Sequence, residues 1–351
     1  MRTILCIATL LLLNSTVNSQ FVTTSGKEII TPDGKPLLLR GINLGNWLVP
    51  EGYMFRFDDG PQSGREIDAL FRDLAGPEAT DAFWRNWRET YIAAQDIQLI
   101  RALGLNSVRI PFHHALMHDD GPGFRLLDGI INACASAGLW VILDLHAAPG
   151  GQTGTNIDDS WGYPWLFESA AAQQATIDLW KRVAAHYRDK RTVLGYDLLN
   201  EPIPHFGGLP ARYNDSLEPL YKRIVSAIRE VDTNHVVILG GAQWDSSFKV
   251  FGPPFDSNSM YTFHKYWTAP TADVIREYLA YRDKYDVPIW LGESGENSDQ
   301  WVADFVRTLE SESVGWCFWP YKKMDQTSSV VTFARVPVAT AAPQFTPSVL
   351  T

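Results

Sequence analysis

Residues 170–202 read AAAQQATIDLWKRVAAHYRDKRTVLGYDLLNEP, and they hold one complete repeat of a fold. As far as residue 187 the apolar side chains recur at helical spacing. From Leu194 to Leu199 an apolar run follows, short enough to be a strand buried on both faces. Gly195 falls where the helix has ended and the strand begins. The run stops at Asn200-Glu201-Pro202. Proline has no N–H to give to a ladder, so the strand must end where an amide and a carboxylic acid side chain stand.

The same unit recurs in both directions. Strands are expected at 37–44, 107–112, 140–145, 194–199, 236–240, 260–263, 289–292 and 315–318. Helices are expected at 90–102, 126–137, 170–187, 217–230, 272–285 and 299–310. Strand–helix alternation means βαβ units and a parallel sheet, and eight strands favour a closed (β/α)8 TIM barrel over an open, doubly wound sheet. No Gly-x-Gly-x-x-Gly turn follows the first strand, which weighs against a nucleotide-binding fold. Residues 244–255, after the fifth strand, are too short and too rich in Gly and Pro for a good helix. Residues 21–36 read as a hairpin around Pro32-Asp33-Gly34 that plugs the barrel's bottom. Two βα loops are long, 51–83 and 147–169, and no helical period follows Lys323 to cover the eighth strand.

Ahead of the barrel, Arg2, the apolar run 4–13 and the ending Val17-Asn18-Ser19 have the make-up of a secretory signal peptide, expected to span 1–19. The run is too short to cross a bilayer. The expected organisation is therefore a leader at 1–19 and a single (β/α)8 catalytic domain at 20–351, secreted to a periplasmic or extracellular compartment. A net charge of −10 without any basic stripe argues against nucleic acid. The 13 Trp and 13 Tyr exceed what a core needs, and wide rings can stack on flat apolar ligand faces. Cys134 and Cys317 lie in apolar patterns and are expected as buried free thiols.

In such a barrel catalytic groups sit at the C-terminal ends of the strands. Those ends carry Asn46 and Trp47, Arg109, His146, Asn200 and Glu201, His264 and Tyr266, Glu293, then Trp319. Glu201 follows the fourth strand and Glu293 the seventh, which places two carboxylates across the mouth. Hydrolysis of a glycosidic bond needs such a pair, one protonated and one ionised. Glu296 lies in the loop beyond Glu293 and is the weaker candidate, while Glu51 reads as a subsite contact or a surface group. His114 and His118 share helical spacing, but the Glu of a zinc-protease motif is missing, so no metal and no cofactor are expected. Trp161, Tyr163, Trp165 and Phe167 on the long third loop, with Trp244 and Trp267, are candidates for the rim of a sugar cleft.

The sequence resembles glycoside hydrolase family 5, from Gly41 to about Lys323. The resemblance rests on Val108-Arg109-Ile110-Pro111, Asp144-Leu145-His146-Ala147-Ala148-Pro149-Gly150, Leu199-Asn200-Glu201-Pro202, His264-Lys265-Tyr266, Leu291-Gly292-Glu293 and Trp316-Cys317-Phe318-Trp319. It implies a retaining double displacement with Glu201 as acid/base and Glu293 as nucleophile. It further implies that Asn200 bonds the sugar's 2-hydroxyl, that Arg109 and Tyr266 orient Glu293, and that His264 sits near Glu201. His146 would line the same subsite and Trp319 would form the platform beneath its ring. Gly41-Ile42-Asn43-Leu44-Gly45-Asn46-Trp47 and Glu51-Gly52-Tyr53-Met54 resemble the exo-β-1,3-glucanase branch. Glu293-Ser294-Gly295-Glu296-Asn297 and Trp319-Pro320-Tyr321-Lys322-Lys323 depart from it. The resemblance thus implies a β-glucosidic oligo- or polysaccharide substrate with an exo-1,3 leaning. Endo-β-1,4-glucanase, β-mannanase and a catalytically weak carbohydrate-binding protein remain alternatives. Neither nucleic acid nor, after signal cleavage, a membrane is an expected partner, and the chain is expected as a monomer.

Overall fold

The computed structural model describes residues 20–57, 59–324 and 328–333; the expected leader 1–19 and the tail 334–351 lie outside them. A short antiparallel hairpin, β1 (Thr23–Ser25) and β2 (Glu28–Ile30), comes first. The strands β3 (Arg40–Asn43), β4 (Ser107–His113), β5 (Trp140–Ala147), β6 (Val193–Asp197), β7 (Val236–Gly240), β8 (Ser259–Tyr266), β9 (Ile289–Gly295) and β10 (Gly315–Phe318) follow. They are parallel throughout, and β10 pairs with both β9 and β3, so the eight close into a barrel. Strands apolar on both faces suit this position, one face turned to the barrel interior and the other to the helices.

Inside the barrel, Ile142, Leu194, Val236, Met260 and Trp290 form one cluster with Val22, Ile29 and Leu39. The hairpin seals the N-terminal end as expected, but its turn falls at Gly26-Lys27. The Pro32-Asp33-Gly34 turn comes after β2, where Ile30 bridges to Pro36, and the backbone of Thr24 is held by Asn258 just ahead of β8. The outer layer contains the helices α1 (Gly64–Ala75), α2 (Pro77–Thr90), α3 (Ala94–Ala102), α4 (Gly123–Ala137), α5 (Ala170–Tyr187) and α6 (Leu209–Arg229). After β7 there is only a single turn, α7 (Ala242–Asp245), then α8 (Arg276–Tyr285) and α9 (Asp299–Ser311). Fully buried residues such as Trp180, Tyr187 and Leu220 bind these helices to the strands, each worth on the order of 1.5–3 kcal/mol. Cys134 and Cys317 are free and buried, as expected.

Three expectations need correction. Residues 51–83 are not mainly loop, since α1 and the first half of α2 lie there. Ser63 and Glu66 form a reciprocal capping box that starts α1, a signal legible in the Ser-x-x-Glu spacing. The helix expected at 90–102 begins only at Ala94, after α2 has ended at Thr90, and α6 starts eight residues ahead of its expected position with Pro210 in its first turn. Beyond β10 the described residues hold no helix. A small parallel pair, β11 (Lys322–Met324) and β12 (Val331–Phe333), covers that side, with Phe333 packed edge-on to Tyr91. Among the described residues no helix is long and apolar enough to cross a membrane.

Candidate active site

At the C-terminal end of the barrel lies a cleft of about 610 Å³. Arg109, fully buried on β4, is the hub beneath it. Its Nε donates to Asp197 Oδ2 at 2.8 Å, Nη2 to Asn200 Oδ1 at 3.0 Å, and Nη1 to Asn43 Oδ1 at 3.0 Å and to Glu293 Oε1. Nη2 also lies 3.1 Å from Asp144 Oδ1. Burial alone would discharge the guanidinium, but Asp144, Asp197 and Glu293 outweigh it and hold Arg109 cationic well above its usual range. One cation faces three carboxyls, and burial pushes Asp144 and Asp197 each up to about 7 against the pull of Arg109.

The second oxygen of Glu293 accepts from Tyr266 Oη at 3.0 Å. Glu201 stands opposite, its Oε1 3.0 Å from His264 Nδ1. An oxygen of Glu201 and an oxygen of Glu293 lie within 4.8 Å of each other and of the His264 ring. Burial drives Glu201 up to about 7, opposed by His146 and Arg109, and drives the His264 imidazole down to about 3. The site thus pairs a carboxyl biased toward its protonated form with one held by a cation and a phenol. Glu201 has φ 47°, a left-handed backbone unusual for a residue with a side chain. Asp245 Oδ2 steadies it by accepting from Glu201 N at 3.0 Å.

His146 is oriented by Asp144, Oδ2 to Nδ1 2.7 Å, and its ring lies parallel to that of Trp319, with 5.5 Å between centroids. Trp319 Nε1 donates to Tyr53 Oη at 2.7 Å, which fixes the indole in the cleft wall. Gly45 is required beneath it: a Cβ there would lie 2.4 Å from the indole.

Of the residues singled out from the sequence, His146, Asn200, Glu201, His264, Tyr266, Glu293 and Trp319 line the cleft, and Arg109 lies directly below. Asn46 and Trp47 do not line it. Asn46, at φ 64°, turns the chain and accepts from Glu51 N, while Trp47 is buried against α2 with Nε1 donating to Arg88 O. They stand one turn past the end of β3, where the chain has already bent outward. Glu51 and Glu296 do line the cleft, as do Trp244 and Trp267, whereas Trp161 and Trp165 do not. From that long loop Thr155 and Ile157 reach the cleft instead. Sequence reading missed Asp197, Asp245 and Tyr53. An acid inside an apolar strand, as in Tyr196-Asp197-Leu198, is the signal that would have flagged Asp197.

A closed eight-stranded barrel with paired carboxyls and an indole wall at its C-terminal mouth defines a glycoside-hydrolase-like architecture. The family model Cellulase (glycosyl hydrolase family 5) matches residues 64–325, and the chain belongs to that family. It is 33% identical over 262 residues to a β-xylosidase of Phanerodontia chrysosporium, covering 70% of this chain and 52% of that protein. With a glucan 1,3-β-glucosidase of Lachancea kluyveri the identity is 28% over 264 residues, 66% of this chain and 57% of the other. The chain thus spans little more than half the length of these relatives. Among solved structures, a rutinosidase from Aspergillus niger superposes with a TM-score of 0.66 at 18% identity, over 83% of this chain and 92% of that one, a likeness of fold.

Proposed function

We propose that this chain is a secreted retaining β-glycosidase that acts on β-glucosidic bonds of an oligo- or polysaccharide. The observation that carries the reading is the Glu201–Glu293 pair, with oxygens within 4.8 Å of each other, Glu201 biased toward its protonated form and Glu293 bonded to Arg109. Retaining enzymes hold their carboxyl groups about 5–5.5 Å apart, and inverting ones leave room for a water between them. In the first step Glu293 attacks the anomeric carbon while Glu201 gives its proton to the departing oxygen. In the second, Glu201 takes a proton from water, whose oxygen displaces Glu293 and restores the free carboxylate. Arg109 and Tyr266 hold one oxygen of Glu293 each, so its attack lobe is aimed before substrate arrives. Asn200 has its carbonyl taken by Arg109 and its amide nitrogen 3.5 Å from His146 Nε2, which leaves the second amide hydrogen for the sugar's 2-hydroxyl. The Trp319 face supports the ring.

Two of the relatives bear names for a β-xylosidase and a glucan 1,3-β-glucosidase, and others are named endoglucanases. We follow the first two, which widen the candidates for a terminal sugar from glucose to xylose. The test is hydrolysis of aryl β-glucosides and β-xylosides with the anomer of the first product followed by NMR. Release of the β-anomer is expected; release of the α-anomer sinks the mechanism. No hydrolysis at all, with sugar binding intact, would instead leave a binding protein.

A further inference from the structure

Two stretches that depart from the exo-glucanase pattern, around Glu296 and around Lys323, meet in space. Lys323 Nζ lies 2.5 Å from Glu296 Oε1, and Lys323 is only 2% exposed. The ammonium also sits 5.3 Å from the centre of the Tyr53 ring, the same Tyr53 that holds the Trp319 indole. A lysine this buried is rare without a partner, so the pair is a fixed part of the wall.

Its place relative to the reaction follows from Glu201. The proton donor stands beside the leaving group, and Trp244 is tied there, its backbone N–H donating to Pro202 O and Ile203 O. His205 packs edge-on against the same indole, 4.5 Å between centroids. The leaving group therefore lies toward Trp244. Glu51, Tyr53, Glu296 and Trp319 follow β3, β9 and β10, which are neighbours on the other side of the barrel. The glycone points at them. Glu296 and Trp319 also border a second cavity of about 300 Å³, lined further by Asn297, Phe318, Ser329 and Val330. They are the partition between the two spaces. Glu51 adds a buried oxygen, Oε1, that has no hydrogen-bond partner among the described residues.

We propose that the Glu296–Lys323 ion pair determines specificity by ending the cleft behind the sugar on Trp319, so that one terminal sugar unit is accepted and a longer glycone is excluded. This rests on the glycosidase reading above. The pair acts on the substrate's reach, whereas Glu201 and Glu293 act on the bond.

The measurement is the ratio of kcat/KM for an aryl β-diglycoside, cleaved at the aryl bond, to that for the aryl monoglycoside. Wild type is expected to cleave the monoglycoside strongly and the diglycoside barely. In Glu296→Ala/Lys323→Met both charges leave together, so neither is stranded. The ratio is then expected to rise by on the order of tenfold or more as the two cavities join. Lys323→Arg, which keeps the pair, is expected to keep the wild-type ratio. A wild-type ratio near one, readable whether or not the double variant folds, overturns the inference, as does a folded double variant with an unchanged ratio. No aryl release by wild type from any glycoside overturns the glycosidase reading and the inference with it.

Discussion

Arg109 donates through Nη1 to Glu293 at the centre of the barrel, and neither side chain has appreciable contact with solvent. The guanidinium is the positive counterweight to Asp144 and Asp197 as well, so its removal strands several buried acids at once. Arg109→Met is expected to lower stability by about 3–5 kcal/mol, the range for breaking a buried ion pair from one side. Adding Asp197→Asn should recover part of that loss, because one stranded acid is then neutral. Denaturant midpoints of the single and double variants test this, and a double variant no more stable than the single would refute the charge-balance account.

Under the proposed mechanism, Glu201 is expected to set the alkaline side of the activity profile. Its proton is needed on the leaving oxygen, so activity should fall as pH rises through about 7. Glu201→Gln should erase that limb. With a poor leaving group it should cost about 10²–10⁴-fold in rate, and with an activated aryl leaving group much less in the first step. Stability has the same sign. The unfolded carboxyl ionises near 4.5, so between there and about 7 the native state binds the extra proton, and this group's contribution is lost as pH rises through that window. Glu201→Gln should therefore be more stable than wild type at pH 8 and not at pH 4. An alkaline limb that persists in the variant would move the proton donor elsewhere.

Much of this arrangement was legible in the chain. Buried parallel strands have to be nearly all apolar, so the runs at β4, β5 and β6 stand out, and the polar residues that end them stand out with them. Glu201 and Glu293 were visible for that reason. Asn46 and Trp47 were misplaced because a strand end can be read to within a residue or two, and one further residue sends a side chain outward. Asp245 lay in a turn with left-handed Gln243 and Trp244, a conformation without a helical or strand period to announce it. The Glu296–Lys323 pair was unreadable for another reason: 27 residues separate its members, and barrel closure alone brings them together.

Tyr266 Oη donates to Glu293 Oε2 at 3.0 Å, and among the described residues that hydroxyl makes no other hydrogen bond. Burial and then Glu293 keep the phenol protonated well above its ordinary range, so it stays a donor at any working pH. Hydrogen bonds to a charged group are worth roughly 1.5–3 kcal/mol, which converts to about 10–150-fold in rate if the bond serves the transition state. Tyr266→Phe is expected to lose that much kcat with an unfolding midpoint close to wild type. A loss of stability with unchanged kcat would recast Tyr266 as structural.

Asp245 offers a sharper test of how the site holds its proton donor. Burial, then Asp197 and Glu201, push its carboxyl well above the usual range, which favours the neutral acid. A neutral acid and its amide have the same shape, and each keeps one oxygen to accept from a backbone N–H. Asp245→Asn should therefore hold Glu201 in its left-handed backbone, with kcat/KM and stability near wild type. Asp245→Ala removes the acceptor from Glu201 N and leaves a buried donor unsatisfied, at a cost of about 1–3 kcal/mol. It should lower kcat more than it raises KM, since the displaced group acts on the bond rather than on the bound sugar. Equal damage from Asn and Ala would mean that Asp245 is ionised, and that its charge rather than its oxygen matters to Glu201.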